Sequence, residues 1–370
     1  MIYWLLLAFT VVFYGVCRIS VKKYHPYGFR TIEEHNSAYL FYFITISAAM
    51  ILVIGLRDEH VGSDTMGYYS TYKKMANVDY SYILSSNVND KGYCFLQIFF
   101  NKIGWNFYAF NMLYAIFNIS VISYLIYKKS SLPLLSYILY ITFGFFVLDL
   151  TMIRQTTAMS IVILAVLHDK NRNIMDFLKF ELMVIVAYFI HASAIIFLPM
   201  WFLAKMKFNK KTIVILLGVA ILSYILKPFV SELVGVVAGT ISDKYMRENI
   251  VVGNLGMRLY LMIAASVALG LYLHNFLNDR WNQLMFCYMC MILIIFPAVQ
   301  GGGSLMRTYY YFYIFMIIYV PNLISGVEHN SDKITYYLAI SLYVAVGLML
   351  LSDDVFGNLY KIMPYKFFWQ

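Results

Sequence analysis

Charged side chains are scarce in this chain. Asp, Glu, Lys and Arg make up 13% of its 370 residues and hydrophobic residues 62%, whereas soluble domains carry about 25% charge. This balance, with a mean hydropathy of +0.70, excludes an ordinary soluble domain. Apolar runs of roughly 17–25 residues, each long enough to cross a bilayer as a helix, recur from end to end. The sequence therefore predicts an all-α, polytopic integral membrane protein, a single transmembrane domain over 1–370 with about 11–12 transmembrane or re-entrant helices.

Cysteine is also scarce, since the chain has 4 cysteines and these give no disulfide framework. Cys287 and Cys290 form a CxxC pair, but the pair lies inside the apolar run Trp281–Ala298, where core packing is favoured over metal or redox chemistry. The sequence lacks a His/Cys/Asp grouping at zinc spacing, a Gly-rich nucleotide loop and a Ser nucleophile elbow. We therefore expect no metal and no cofactor.

The formal net charge of +9 would by itself suit a nucleic-acid partner. The basic residues, however, stand in small groups beside apolar runs, as expected when Lys and Arg are retained in cytoplasmic loops, so no nucleic-acid partner is expected. A first helix over Ile2–Ile19 has Arg18 at its end and Lys22 and Lys23 after it, which places the following loop in the cytoplasm. Met1–Leu5 lacks the basic start of a cleaved signal, so we expect this helix to remain.

On this topology, a second helix over Ala38–Leu56 leads to the outer face, and external loops are predicted at about 57–106, 227–256 and 299–307. Cys94–Ile103 is too short to span and is predicted as an interfacial or re-entrant helix. Pro133–Leu150 is predicted as one spanning helix. The apolar stretch 180–204 is predicted to break near His191, because a single crossing would place the lysines that follow it outside.

The stretch Gly55–Tyr69, at the end of the second apolar run, is the first candidate site. Arg57, His60 and Asp64 supply a cation, an imidazole and a carboxylate, and glycines let the backbone approach a ligand closely. Taken alone, the stretch also fits an ordinary loop with solvated charges. Other isolated charged or titratable residues fall on the same predicted side of the membrane: Asp90, Arg154, His191, Arg247 and Arg307.

Arginines at the ends of separate apolar helices suit a pyrophosphate whose lipid tail lies in the bilayer, because a guanidinium group stays charged and binds phosphate oxygens bidentately. The alternative is that each arginine snorkels to the interface or pairs with a structural acid such as Asp149. His191 is either a hydrogen-bonded core histidine or a general base. Asp64 is either a turn residue or the carboxylate that takes a proton from an attacking sugar hydroxyl. Tyr68 and Tyr69 either stack on sugar rings or belong to the interfacial aromatic belt.

Taken in order, these residues resemble the EpsG/Wzy family of bacterial polysaccharide polymerases. Gly55-Leu56-Arg57, then Val61-Gly62-Ser63-Asp64 and Tyr68-Tyr69, stand where the family shows G-[FL]-R, [VI]-G-x-D and Y. Asp90-Lys91-Gly92-Tyr93 stands where the family usually has E-x-G-[FY], and Arg154-Gln155-Thr156-Thr157-Ala158 resembles its R-Q-x-[IL]-A. His191-Ala192-Ser193 resembles H-x-[ST], and Arg307 with Tyr309 and Tyr310 resembles its late R-x-[YF] element. At position 90, Asp keeps the charge of the family's Glu but has a shorter reach.

The resemblance implies a GT-C-like glycosyltransferase in the bacterial cytoplasmic (inner) membrane that polymerises O-antigen or exopolysaccharide at the external, periplasmic side. Donor and acceptor would be repeat units linked to undecaprenyl pyrophosphate, with membrane lipid around them and a chain-length regulator and a flippase as possible partners. Asp64 is the first candidate for the general base and His191 the second, and Arg57 stabilises the leaving group. The predicted substrate-binding residues are Arg154, Gln155, Arg307, Asp90, Tyr68, Tyr69 and Arg247.

Two other functions remain open from the sequence. A membrane O-acyltransferase of surface glycans would use His191, and its loss would remove an ester without shortening the glycan. A transporter or flippase of lipid-linked glycans would also carry intramembrane charges, but would be expected to show internal repeats, and we find none in the sequence.

Overall fold

A computed structural model describes residues 2–22, 37–86, 88, 90–168, 173–206, 208–229, 232, 255–273, 275–299, 305–330 and 333–370. Within these residues the elements are helices, three of them short 3-10 helices, and Arg57 and Phe367 form an isolated antiparallel bridge. The α-helices are α1 Ile2–Lys22, α2 Ser37–Gly55, α3 Thr65–Met75, α4 Tyr80–Ser85, α5 Lys91–Lys102, α6 Phe107–Lys129, α7 Pro133–Thr142, α8 Phe145–Thr151, α9 Ile153–His168, α10 Ile174–Ile190, α11 Met200–Lys205, α12 Lys210–Ile225, α13 Leu255–Tyr272, α14 Arg280–Val299, α15 Tyr310–Tyr313, α16 Met316–Asn330 and α17 Lys333–Gly357.

The protein is an all-α, polytopic membrane protein, as predicted. In the described part of the chain, 6 helices are long and apolar enough to cross a membrane, or 7 if the bent pair α7 and α8 forms one span. Three shorter apolar helices accompany them, over Ile153–His168, Ala192–Lys205 and Met257–Tyr272. Helices suit this setting because they satisfy their own backbone hydrogen bonds in lipid.

Two apolar stretches are interrupted in the structure, one that was predicted to be continuous and one that was predicted to break. The single helix predicted over Pro133–Leu150 is instead α7 and α8, bent by 50°. Gly144 makes the break, because its φ of +86° lies in the left-handed region that residues with a Cβ rarely adopt. The predicted break near His191 is confirmed, since α10 ends at Ile190, His191 is extended, and a 3-10 helix follows over Ala192–Phe197.

The first compact unit comprises Met1–Ala192 and Leu338–Gln370. Within it α2 packs on α6, α6 on α9, and α9 on α10, while α5 packs on both α3 and α10. The predicted external loop 57–106 is largely helical here, and its helices α3 and α5 contribute residues to an aromatic cluster. That cluster consists of Tyr68, Tyr72, Tyr93, Phe107, Phe110, Tyr114 and Ile153.

The second compact unit is Ser193–Tyr337, in which α14 packs against α12, α13, α15 and α16. Ser223 Oγ donates to the carbonyl of Ile294 at 2.6 Å, and Tyr319 Oη donates to the carbonyl of Ser266 at 3.1 Å. Cys287 and Cys290 are free and buried in α14, which confirms their predicted place in the core.

Candidate active site

Asp90 joins two other candidate residues in the first unit. Its carboxylate Oδ2 lies 2.7 Å from Arg154 Nη1 and 3.2 Å from His191 Nδ1, and Oδ1 accepts a hydrogen bond from the backbone N–H of Ala192 at 3.0 Å. The side chain is only 5% exposed. One buried carboxylate therefore holds a guanidinium group, an imidazole and a backbone donor around a single point.

The backbone conformation of Asp90 directs its side chain toward Arg154 and His191. The residue precedes α5 with φ +57° and ψ +48°, the left-handed conformation that Asp and Asn adopt more readily than other residues with a Cβ. Next to it, Gly92 lets α5 approach α10, because a Cβ at Gly92 would lie 2.9 Å from Phe189 Cβ and from its carbonyl oxygen. This close approach brings Asp90 to His191, which caps the end of α10.

Arg154, in the first turn of α9, is the cation of this group. Its guanidinium carbon lies 5.3 Å from the ring centre of Tyr68 and 5.8 Å from that of Tyr93, within the range of cation–π attraction. Its side chain is 33% exposed, although within the described residues Nε is buried without a hydrogen-bond partner. The guanidinium group is thus fixed by Asp90 and two rings, while its buried Nε has no acceptor among the described residues.

The charges around Asp90 favour its ionised form. Burial by itself raises the pKa of the Asp90 carboxyl, but the hydrogen bond and charge of His191, the charge of Arg154 and the N–H of Ala192 together hold that pKa below its ordinary value. Asp90 is therefore a carboxylate at neutral pH. An ionised carboxylate beside Nδ1 orients the imidazole ring and stabilises its protonated form.

Arg57 lies in the loop after α2 and is 1% exposed. Its Nη1 donates to the carbonyl of Ile54, while among the described residues Nε and Nη2 have no hydrogen-bond partner. Burial lowers the pKa of Arg57 to about 10, partly offset by Tyr365, Asp149, Tyr3 and Tyr68, so the group remains a cation at neutral pH. Tyr68 acts electrostatically on both Arg57 and Arg154.

The first unit holds three further predicted residues, which are Asp64, Tyr69 and Gln155. Asp64 stands at the start of α3, where Ser63 Oγ donates to its Oδ1 at 3.1 Å. The ring of Tyr69 packs on Phe107 and Tyr108, with Lys73 Nζ 4.1 Å from the ring centre. Gln155 is 2% exposed within α9. The structure therefore connects Asp90, Arg154, His191 and Tyr68 directly.

Two predicted substrate-binding arginines are not among the described residues of the first unit. Arg307 lies in the 3-10 helix Leu305–Tyr309 of the second unit and is half-buried. Arg247 lies outside the described residues, as does most of the predicted external loop 227–256.

Asp149 lies in a buried group of polar side chains that the sequence analysis did not predict. This carboxylate accepts hydrogen bonds from Tyr140 Oη and from Asn118 Nδ2, the latter at 3.0 Å, and Asn118 also donates to Thr156 Oγ1 at 3.0 Å. Asp149 was considered as a partner for Arg154, but Arg154 pairs with Asp90, and Asp149 instead acts electrostatically on Arg57. Polar side chains inside apolar runs were the available signal for this group.

One group of possible metal ligands is present among the described residues. Donor atoms of Asp58, Glu59 and His60 lie within 4.8 Å of one another. His60 Nδ1 lies 2.7 Å from Asp58 Oδ1, and Tyr108 Oη donates to Glu59 Oε2. Asp58, Glu59 and His60 therefore already have hydrogen-bond contacts within the protein.

Comparison with known proteins adds one family. Residues 39–367 match the family described as the EpsG family, which covers most of the chain and all of the candidate residues named above. Neither a curated protein nor a solved structure matches the chain.

Proposed function

The chain belongs to the EpsG family, the family of Wzy/EpsG-type polysaccharide polymerases, and from that membership we propose that it transfers a growing glycan from undecaprenyl pyrophosphate onto a lipid-linked repeat unit. We place the reaction at the external face of the bacterial cytoplasmic membrane, as in O-antigen or exopolysaccharide synthesis. A multi-pass membrane protein suits such a substrate, because the carrier lipid stays in the bilayer while the diphosphate and sugars lie at its edge.

The observation that carries the proposal is the single carboxylate of Asp90 between Arg154 and His191. It joins an anion-binding group to a proton-accepting group, and a transfer from a sugar diphosphate needs both. Arg57 supports this view, because buried N–H donors without partners are costly and are expected where a ligand supplies the acceptor.

In the proposed reaction, Arg57 and Arg154 bind the donor diphosphate. The acceptor hydroxyl loses its proton to His191 as its oxygen bonds to the anomeric carbon of the donor glycan. The bond from that carbon to the diphosphate oxygen breaks, and undecaprenyl pyrophosphate leaves with the electron pair. The arginines stabilise the negative charge that develops on the leaving oxygen, a contribution that is large in a site shielded from water.

His191 is a better candidate for the base than Asp64, which the sequence placed first. Asp90 holds Nδ1 of His191 in an orienting contact and stabilises the imidazolium that forms. Asp64 lies at the start of α3, where Ser63 Oγ donates a hydrogen bond to it. We retain Asp64 as a residue that shapes the start of α3 near Tyr68.

The test is conversion of a defined lipid-linked repeat unit to polymer by the purified protein, with and without a chelator. Arg57→Ala, Arg154→Ala and His191→Ala should leave single repeat units on the carrier, while Tyr319→Phe in the second unit should polymerise as the wild type does. Full-length polymer from the three variants at normal protein levels would reject the site. Unchanged chain length with a missing ester would instead identify an acyltransferase.

A further inference from the structure

Residues 358–370, here called the strap, lie against the loop that carries Arg57. The backbone N–H of Asp58 donates to the carbonyl of Lys366 at 3.0 Å, and the N–H of Phe368 donates to the carbonyl of Leu56 at 3.0 Å. These two bonds enclose Arg57 and Phe367 as an antiparallel bridge. In this bonding pattern the paired residues do not bond each other, and their side chains lie side by side on one face. Phe367 therefore lies beside Arg57.

Three further hydrogen bonds join the strap to other parts of the first unit. Tyr365 Oη donates to the carbonyl of Val53 at 2.7 Å, and Tyr3 Oη donates to the carbonyl of Ile362 at 2.8 Å. The N–H of Gly62 donates to the carbonyl of Lys361 at 2.9 Å, so the far end of the Arg57 loop is held as well. The strap is thus bonded to the residues on both sides of Arg57.

The strap is also ordered internally. The Asn358 side chain donates to the carbonyl of Met363 at 2.8 Å and accepts from its N–H at 2.9 Å. The ring of Phe368 stacks on Tyr108 with centres 4.7 Å apart, and Tyr108 in turn bonds Glu59 of the same loop. A segment that is held by bonds within itself and by a ring contact to its neighbour can act as a rigid support.

The strap lies against the loop of Arg57, and the Arg57 side chain is almost fully excluded from water. At 1% exposure its guanidinium group keeps two N–H donors that no described residue engages. Exclusion of water strengthens the attraction between a cation and a bound anion. A support that excludes water while fixing the loop would therefore strengthen anion binding at Arg57.

We propose that Tyr365 and Phe367 are positioning residues, through which the strap holds Arg57 in a dry, fixed orientation for binding the diphosphate of the carrier lipid. This inference rests on the proposed function, because it assigns the unpartnered donors of Arg57 to that diphosphate. Neither residue needs to touch the substrate.

The experiment measures binding of undecaprenyl pyrophosphate to the purified protein, together with hydrogen exchange of residues 56–62. Tyr365→Phe removes the bond to Val53 and keeps the ring, while Phe367→Ala removes the ring beside Arg57. Tyr319→Phe is the matched control, because it removes a similar tyrosine-to-carbonyl bond in the second unit. Phe367→Leu, which retains apolar bulk, is the conservative replacement.

We expect the Kd to rise about tenfold in Tyr365→Phe and in Phe367→Ala, the effect of about one lost hydrogen bond or equivalent contact. Exchange of residues 56–62 should accelerate in both. Phe367→Leu should recover most of the affinity, and Tyr319→Phe should change neither quantity. Faster exchange with unchanged affinity would overturn the proposal, because the strap would then be structural only, and so would wild-type values of both quantities.

Arg57→Ala separates the two proposals. If it binds undecaprenyl pyrophosphate as the wild type does, the assignment of Arg57 in the proposed function fails. If it loses binding while the strap variants retain it, the proposed function stands and the positioning role of the strap fails.

Discussion

Asp90 and His191 are 101 residues apart in the chain, yet Asp90 Oδ2 lies 3.2 Å from His191 Nδ1. The contact depends on the packing of α5 against α10 and on the left-handed backbone of Asp90. Because the same oxygen also binds Arg154, a change at Asp90 should affect the anion-binding group and the proposed base together.

Asp90→Asn should abolish long-chain polymer. Asn tolerates the left-handed backbone, so the fold of the loop is preserved while the negative charge is lost. Arg154 then loses its charged partner and the imidazolium of His191 loses its counter-ion, and each such loss costs about 1–3 kcal/mol. Chain length of surface glycan in a complementation assay measures the result.

Asp90→Glu is the informative control. The charge is kept, and Glu is the residue that the resemblance associates with this position, so we expect polymer of substantial length. If Asp90→Asn made full-length polymer, the carboxylate would have no role in the reaction.

Gly92→Ala should move Asp90 away from His191, because Gly92 lies where α5 approaches α10. The new Cβ would lie 2.9 Å from Phe189 Cβ and carbonyl oxygen, so α5 must move away from α10. We expect a loss of about 1–3 kcal/mol in the free energy of unfolding and a loss of polymerisation.

Gly67→Ala is the matched control for that substitution. Gly67 lies within α3, and no atom lies within 4 Å of a Cβ built there, so the change should be neutral or stabilising by up to about 1 kcal/mol. Equal behaviour of the two variants in thermal unfolding and in polymer length would contradict the close packing at Gly92.

The long membrane helices were predictable from the sequence, because a long run of apolar residues indicates a segment that lies in lipid. The predicted helices over Ile2–Ile19 and Ala38–Leu56 agree with α1 and α2 within a few residues. The region 57–106 was harder, because its helices bury aromatic faces against protein and show no continuous apolar run. The break at Gly144 was missed since a single glycine in an apolar run does not by itself reveal a positive φ.

The candidate residues were also found from the sequence, but their arrangement was not. Asp90, Arg154 and His191 were each predicted separately, whereas the central place of Asp90 depends on contacts across 64 and 101 residues. The contact between the residues near Tyr365 and the Arg57 loop arises from backbone pairing, which the side-chain pattern does not encode.

The acid stability of the protein should depend on Asp90. Its pKa is depressed in the folded state, so its contribution to the free energy of unfolding is present above the unfolded value of about 3.9 and is lost as pH falls through the lower folded value. Thermal unfolding of the purified protein should therefore show a fall in stability below about pH 4 that is shallower in Asp90→Asn. Identical acid branches in the two proteins would show that Asp90 titrates alike in the folded and unfolded states.

Asp149→Ala should destabilise the first unit more than Asp149→Asn. Alanine leaves Tyr140 Oη and Asn118 Nδ2 without their acceptor in a buried site, at a cost of about 1–3 kcal/mol for each group. Asparagine has a side chain of similar size and keeps one oxygen that accepts a hydrogen bond. Thermal unfolding measures the difference, and equal stability of the two variants would mean that the carboxylate is not the acceptor that holds this group together.

Arg154→Lys should fail to restore the polymerisation that Arg154→Ala loses, although it keeps the positive charge. The guanidinium group donates to Asp90 while its plane lies near the rings of Tyr68 and Tyr93, and a lysine ammonium group cannot reproduce that geometry together with a second donor for an anion. We expect at least about a tenfold fall in rate, since the loss of one charge-assisted hydrogen bond corresponds to about 1.5–3 kcal/mol. Full activity of Arg154→Lys in the in vitro polymerisation assay would mean that only the charge at this position is required, and would remove the argument for bidentate binding of a diphosphate.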